Sequence, residues 1–262
     1  MEILLVYLLV GTFVGIIAGL LGVGGGLIIV PVLALLFQQW GFADGVLMHL
    51  AIGTSLATIV VTAIASMHAH HGHGAVDWSI FRRMTPGIVV GALLGAIIAD
   101  FMPTQALRLF FGIFEIAVAT QIGFQLMASP QRTLPGTAGM TVAGVIIGAL
   151  SAIVGIGGGT LTTPFLVWCN TALRKAVATS SAVGFPIAVA GATGFAVTGW
   201  NQPQLPEWSS GYIYWPALAG IAAASVVFAP LGARLAHTLP VHVLRRLLAI
   251  FLAVLGIRML LG

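Results

Sequence analysis

The chain has 262 residues, of which 59% are hydrophobic and only 6% are charged, and its formal net charge is +4. Its mean hydropathy of +1.11 excludes an ordinary soluble domain, in which about a quarter of the residues are charged. The single cysteine excludes an intramolecular disulfide, and no basic cluster predicts binding to nucleic acid. We therefore expect an all-α, multi-pass protein of the lipid bilayer, without a cofactor or a resident metal ion.

The first half contains five apolar segments, which cover residues 3–21, 27–37, 48–67, 86–98 and 104–127. At about 1.5 Å per residue, the second segment is only about half as long as a hydrocarbon core of ~30 Å is thick. It follows the first segment across a cluster of glycines. This pattern predicts a re-entrant hairpin that turns at the glycines.

The second half repeats this plan in segments at residues 138–154, 161–168, 176–197, 212–231 and 241–260. The glycine cluster of residues 22–31 recurs with the same spacing in residues 155–164. Residues outside the clusters also match, for example Gly95 with Gly232 and Arg108 with Arg245. We interpret the chain as a duplication, with one transmembrane repeat at residues 1–128, a linker at 129–137 and a second repeat at 138–262.

The number of segments predicts how the repeats are oriented. An odd number in each half inserts the second copy upside down. If successive polar connections lie on alternate sides of the membrane, one side has eight basic residues and the other only two, Arg108 and Arg258. By the positive-inside rule, the side with eight is cytoplasmic and both termini are outside. We therefore expect two inverted repeats with about eight to ten apolar helical segments and two glycine-broken re-entrant hairpins.

The two glycine clusters are the candidate binding site. A helix that begins at glycines presents free backbone N–H groups and the positive end of its dipole to a ligand. Paired interruptions at corresponding places in two halves point to the binding site of a transporter. The candidate residues are Gly24, Gly25, Gly26, Gly157, Gly158 and Gly159. The alternative interpretation is that these glycines only permit close helix packing.

Hydroxyl groups near the middle of apolar segments are further candidates, because polar groups are costly there. Thr54 and Ser55 match Thr179 and Ser180, and Thr160 follows the second glycine cluster. Together with the amides they would make a small pocket rich in hydrogen-bond donors, which suits a small oxyanion. In the alternative interpretation, each hydroxyl bonds a carbonyl of its own helix.

The paired glycine motifs, each followed by a proline and then by a Thr-Ser pair, resemble the TauE/SafE family of membrane transporters, also called sulfite exporters. The resemblance covers nearly the whole chain, and the candidate glycines fall on the motif positions of the family. It implies a protein that is not an enzyme and that exports sulfite, or a related sulfur-containing or organic anion, across the cytoplasmic membrane.

Glu115 lies near the centre of the fifth apolar segment, where an ionisable group is a functional candidate by default. We expect a secondary transporter coupled to protons, with Glu115 as the coupling group. The alternative is a carboxyl group that forms hydrogen bonds without moving protons. Neither glycine cluster carries the Lys-Ser/Thr pair of an ATP-binding loop, so we do not expect primary transport.

Four histidines, His68, His70, His71 and His73, form the most conspicuous polar cluster, which we interpret as a solvated loop. Metal handling by this loop, or an anion channel, are the alternative functions. Only His49 falls inside an apolar segment, at its border. Asp100, like the other aspartates, is assigned no chemistry. The expected partners are a small anion and the bilayer, and a homodimer is an alternative to a monomer.

Overall fold

The computed structural model describes residues 2–21, 25–71, 76–124, 132–235 and 241–262. These residues form ten helices and one short two-stranded ribbon. The elements are, in chain order, α1 (Glu2–Leu21), α2 (Gly26–Gln39), α3 (Leu47–His71), α4 (Trp78–Asp100), α5 (Thr104–Gly123), α6 (Thr137–Val154), α7 (Gly159–Trp168), α8 (Leu173–Thr198), β1 (Ser209–Ser210), β2 (Ile213–Tyr214), α9 (Trp215–Leu235) and α10 (Val241–Leu261). The expected all-α fold is confirmed.

Six of the described helices are long and apolar enough to span a membrane, namely α3, α4, α5, α6, α8 and α9. By contrast, α7 has only 10 residues and is about 15 Å long, which is about half of a hydrocarbon core. Helix α2, with 14 residues, is also short. The short helices are the ones that follow the glycine clusters, as the sequence predicts.

The helices before and after each glycine cluster form a helical hairpin. Near the open end of the first hairpin, the ring of Tyr7 in α1 meets the ring of Trp40 after α2 at 5.2 Å between centroids. Near the turn, a Cβ atom on Gly25 would lie 2.6 Å from Val14 of α1. In the second hairpin, the amide of Arg132 before α6 donates to the carbonyl of Trp168 at the end of α7, at 3.2 Å.

The helices of the two halves interlock in a repeating pattern. Helix α1 packs along α9, just as α6 packs along α4, and the pair α2–α3 repeats as α7–α8. The remaining large contacts join the equivalent helices α3 with α8 and α5 with α10, and also α4 with α8. Matched glycines make equivalent approaches: a Cβ on Gly11 would lie 2.6 Å from the Ile221 oxygen, and one on Gly144 would lie 2.5 Å from the Met84 oxygen.

Equivalent helices run in opposite directions. Along α3, a Cβ on Gly53 would contact Phe195 of α8, whereas Leu56, one turn further on, contacts the earlier residue Gly191. Helices α5 and α10 are antiparallel by the same criterion. A Cβ on Gly112 would contact Leu260 of α10, whereas one on Gly123, later in α5, would contact the earlier residue Ala249. The halves are therefore related by an approximate two-fold axis perpendicular to the helices, which is the inverted arrangement expected.

Charged residues mark the two ends of the bundle. At one end, called the inner end, the Thr141 hydroxyl of α6 donates to the Arg83 carbonyl of α4 at 3.1 Å. At the opposite, outer end, Arg108 Nη2 lies 3.4 Å from Gln38 Oε1. The positive-inside rule predicts that the inner end faces the cytoplasm. The repeat boundaries at 128 and 138 stay predictions, and residues 129–131 of the linker lie outside the described residues.

Three segment boundaries differ from the sequence interpretation. Helix α3 continues to His71, so His68, His70 and His71 are helical rather than in a loop. Helix α4 begins at Trp78, before the expected start at residue 86, because the Asp77 carboxylate accepts the Ser79 and Ile80 amides and caps the helix. A strand ribbon occupies the expected beginning of the segment at residues 212–231.

Candidate functional site

The two glycine motifs meet inside the protein. A Cβ atom on Gly26 would collide with the carbonyl oxygen of Gly155 and would lie 2.8 Å from the Cα of Ile156. Both Gly25 and Gly26 are buried, as are Gly157 and Gly158. Gly24, which the sequence also nominated, lies outside the described residues. The backbone contact joins segments from opposite halves, as the inverted arrangement requires.

The chain reverses at the second motif through a left-handed glycine. Gly155 has φ 78°, and the amides of Gly155 and Ile156 both donate to the Ser151 carbonyl and close helix α6. Helix α7 then begins at Gly159, so its first amides point back toward the turn. Gly158 packs on α8, where its added Cβ would lie 2.7 Å from the Gly184 amide nitrogen.

A single side chain of α3 lies alongside both motifs. Ile59 Cδ1 would be 3.1 Å from a Cβ on Gly26, and Ile59 Cγ2 would be 3.5 Å from a Cβ on Gly157. On the same helix, the Ser55 hydroxyl donates to the Gly155 carbonyl at 2.8 Å. Helix α3 therefore fixes the second motif by one hydrogen bond and touches both motifs through one apolar side chain.

The matched threonines make equivalent hydrogen bonds. Thr54 Oγ1 accepts the amide of Tyr214 at 3.0 Å, just before α9. Thr179 Oγ1 accepts the amide of Asp77 at 2.9 Å, just before α4. Because α9 and α4 are equivalent helices, the two hydrogen bonds are related by the approximate two-fold axis. In each bond the threonine oxygen accepts, so neither bond uses the proton of the threonine hydroxyl.

Ser180 is engaged inside the protein. Its hydroxyl donates to the Val177 carbonyl of its own helix at 2.9 Å and lies 2.6 Å from Thr163 Oγ1. Since the Ser180 proton goes to the carbonyl, Thr163 is the donor of the second bond. The pair joins α7 to α8 beside the second glycine motif.

Two hydroxyls in the first turn of α7 are buried and have no hydrogen-bond partner among the described residues, those of Thr160 and Thr162. Thr162 is fully buried. Such groups are rare in folded proteins, because an unpaired buried hydroxyl costs about 1–3 kcal/mol. Their equivalents in the first motif, Leu27 and Ile29, are buried and apolar. The donors are thus concentrated on the second motif.

Glu115 lies on a different interface from the glycine motifs. The carboxyl group is fully buried, and neither oxygen has a partner among the described residues. Its Cβ lies 3.4 Å from the position of a Cβ on Gly256, at the contact between α5 and α10. A carboxyl group in this position is an exception among buried polar groups. Its proton-coupling role stays a prediction.

The first residues of the equivalent helices α3 and α8 differ in their exposure at the two ends of the bundle. Met48, at the start of α3 and the outer end, is fully buried. Its equivalent at the start of α8 and the inner end, Leu173, is 47% exposed. The aromatic residues Phe195, Tyr212 and Tyr214 pack in the core cluster that covers the start of α3.

The histidine at the border of an apolar segment belongs to a buried polar group at the outer end. His49 is 3% exposed, stacks on Tyr212 and lies 3.0 Å through Nε2 from the Ala99 carbonyl. The Tyr212 hydroxyl donates to Asp100 at 3.1 Å. The sequence places His49 inside an apolar segment but does not indicate its contacts with Tyr212 and Ala99. The side chains of the four histidines at 68–73 lie outside the described residues, so metal handling there stays a hypothesis.

Residues 7–259 match the protein family described as "Sulfite exporter TauE/SafE". The chain belongs to the TauE/SafE family. A probable membrane transporter protein of Haemophilus influenzae is 36% identical over 98% of each chain. Another from Methanocaldococcus jannaschii is 30% identical over 97% of this chain and 94% of its own length. No solved structure matches the chain significantly. This TauE/SafE protein is therefore a multi-pass membrane transporter.

Proposed function

We propose that this TauE/SafE protein is a secondary transporter that exports a small sulfur-containing or organic anion, such as sulfite or a sulfonate, across the cytoplasmic membrane. The observation that supports it best is the pair of unpartnered hydroxyls of Thr160 and Thr162 in the first turn of α7. An oxyanion at this turn would accept from one of these two hydroxyls, because residues i and i+2 lie on different faces of a helix, and from the free amides of the helix end.

The proposed site has two unlike walls. The α7 wall offers hydroxyls and amides, whereas the first motif offers Leu27 and Ile29, which are buried and apolar. The described glycines of the two motifs let the surrounding segments pack closely, since an added Cβ on Gly26 or Gly158 would meet backbone atoms of another segment. A ligand with an oxyanion group at one end fits this division, with the oxygens toward α7.

Access in this conformation would be from the inner end. The start of α8 there is exposed, whereas the equivalent start of α3 at the outer end is fully buried. Inverted repeats that exchange these two environments would open the site to the opposite side, which is alternating access. Because the inner end carries most of the basic residues, an anion would be taken up from the cytoplasm.

Proton coupling completes the proposal, with Glu115 as the coupling group. A buried carboxyl without a partner can exist as the neutral acid at lower cost than as the anion, so proton release would require an opening of the α5–α10 contact. Such a requirement would link protonation to a movement of α10.

The experiment is a flux measurement on purified protein in proteoliposomes, with sulfite, sulfate, thiosulfate, sulfonates and small carboxylates as candidates. The proposal predicts saturable uptake of at least one of them that responds to an imposed pH gradient. A linear, voltage-driven current would instead identify an anion channel. Gly25→Leu and Gly158→Leu should both abolish binding of the transported anion, and unchanged affinity in both variants would overturn the site.

A further inference from the structure

The imidazole of His49 has one nitrogen that can accept a proton. Nε2 lies 3.0 Å from the Ala99 carbonyl oxygen, which can only accept, so Nε2 carries the hydrogen of the neutral ring. Nδ1 is then a lone-pair acceptor. It is buried and has no hydrogen-bond partner among the described residues. The ring is held in this orientation by Tyr212, whose ring is stacked at 4.9 Å between centroids.

Tyr212 connects this histidine to the closure of the outer end. Its hydroxyl donates to Asp100 Oδ1 at 3.1 Å, and its amide donates to the Phe195 carbonyl of α8 at 3.2 Å. Burial and the neighbouring Asp100 carboxylate raise the pKa of Tyr212, so its phenol remains a donor at neutral pH. Two residues later, the Tyr214 amide donates to Thr54 of α3.

The titratable groups that face His49 are few. Helix α4 contributes Asp100, and the ribbon segment contributes the phenol of Tyr212. Among the neighbouring elements, α5 carries Arg108, which is engaged with Gln38, and α8 carries its Arg174 and Lys175 at the opposite, inner end. A positive charge on His49 would therefore find Asp100 as its counter-charge.

We propose that His49 is a proton-binding site, with Asp100 as its counter-ion, and that proton binding releases the segment of Tyr212 and Tyr214 from the outer end of α3. A protonated Nδ1 needs an acceptor, and in this conformation the atom has no hydrogen-bond partner among the described residues. Asp100 is the nearby charged acceptor, and its attraction to a protonated His49 would compete with its bond to the Tyr212 hydroxyl. Loss of that bond removes one of the contacts that hold the closure in place.

The ligand of this site is a proton from the outer aqueous phase. Its binding forms one N–H bond at His49 Nδ1 and changes no other covalent bond of the protein. The consequence for transport rests on the proposed function, because an external proton would open the outer end and let the anion leave. The proton-binding step itself does not depend on which anion is carried.

The test measures opening of the outer end directly. The full-length protein carries Cys169→Ser and Ala51→Cys, since Ala51 is fully buried near the start of α3. Labelling by a membrane-impermeant methanethiosulfonate reagent is followed between about pH 8 and about pH 5, the range in which histidine changes its charge. The rate relative to a solvent-exposed control cysteine corrects for the reactivity of the reagent.

We expect the corrected labelling rate to rise severalfold at low pH and to stay flat when His49→Gln is added. Glutamine keeps an N–H donor for the Ala99 carbonyl but cannot be protonated. Tyr212→Phe should label rapidly at both pH values, because it lacks the bond to Asp100. Tyr7→Phe is the matched control, since the Tyr7 hydroxyl is buried without a described partner, and it should keep the pH response.

An unchanged pH response in His49→Gln would overturn the proton-binding site, and slow labelling of Tyr212→Phe at both pH values would overturn the link to the closure. Melting temperatures and elution profiles identify a variant that has not folded. If only one of His49→Gln and Tyr212→Phe folds, the labelling of that variant tests the proposal. A pH response through His49 in a protein that moves none of the tested anions would refute the proposed transport while leaving this site intact.

Discussion

Gly26 of the first glycine motif lies directly against the main-chain carbonyl of Gly155 in the second. This contact joins positions of opposite halves and places the N-terminal ends of α2 and α7 side by side. It has two structural requirements, a residue without a side chain at position 26 and an anchored Gly155 carbonyl. Both can be tested by single substitutions.

Gly26→Ala should destabilise the protein. The new Cβ would overlap the Gly155 oxygen and lie 2.8 Å from the Ile156 Cα, and both are backbone atoms that cannot rotate away. Overpacking of this kind costs about 1–3 kcal/mol, measured as the free energy of unfolding in detergent. Gly136→Ala is the control, because nothing lies within 4 Å of its added Cβ. Equal stability of the two variants would contradict the contact.

Ser55→Ala should cost more stability than Thr58→Val. The Ser55 hydroxyl is a partner of the Gly155 carbonyl from another element, whereas the Thr58 hydroxyl only adds a bond to the Thr54 carbonyl of its own helix. Loss of a partner for a buried polar group costs about 1–3 kcal/mol. Denaturant midpoints of the two variants measure the difference, and a smaller shift for Ser55→Ala would show that this bond does not hold the motif.

Glu115→Gln should uncouple transport from the pH gradient without loss of folding. Glutamine has nearly the same volume and no charge, so the buried α5–α10 contact is kept. Accumulation driven by a pH gradient should be lost, whereas exchange of anion at equal pH should continue. Normal gradient-driven accumulation in this variant would leave the carboxyl group without a role in coupling. Leu252→Met, at the equivalent position of α10, is a volume-conserving control.

Cys169 should react slowly with maleimide in the folded protein. The residue follows α7 and is 2% exposed. Burial raises the pKa of its thiol, although Arg132 acts in the opposite direction, so less of the reactive thiolate is present near neutral pH. Labelling should become fast after denaturation. Rapid labelling of the native protein would show that the end of α7 is open.

The sequence predicts the architecture well because the two halves of the duplication still share the spacing of their motifs. The spacing of residues 22–31 and 155–164, with an odd number of segments per half, requires inversion, and inversion brings Gly26 to Gly155. What the sequence does not reveal is which hydroxyls are free. Ser55 and Ser180 looked like ligand donors, yet their protons go to the carbonyls of Gly155 and Val177.

Helix ends and the outer closure could not be predicted for a related reason. Apolar composition does not mark where a helix begins, so the start of α4 depends on the cap by Asp77, a residue that resembles any loop aspartate. The stacking of Tyr212 on His49 joins residues far apart in the chain, and nothing in either local sequence indicates it. Such contacts arise only when the two halves are packed together.

An anion should bind at the first turn of α7, and its dissociation constant for the double variant Thr160→Val with Thr162→Val tests this site. Valine matches threonine in shape and removes hydroxyls that have no described partner, so the variant should fold at least as stably as the parent. Thr120→Val, whose hydroxyl bonds its own helix, is the control. We predict affinity about tenfold or more weaker for the double variant and unchanged for the control. Unchanged affinity in both would contradict the site.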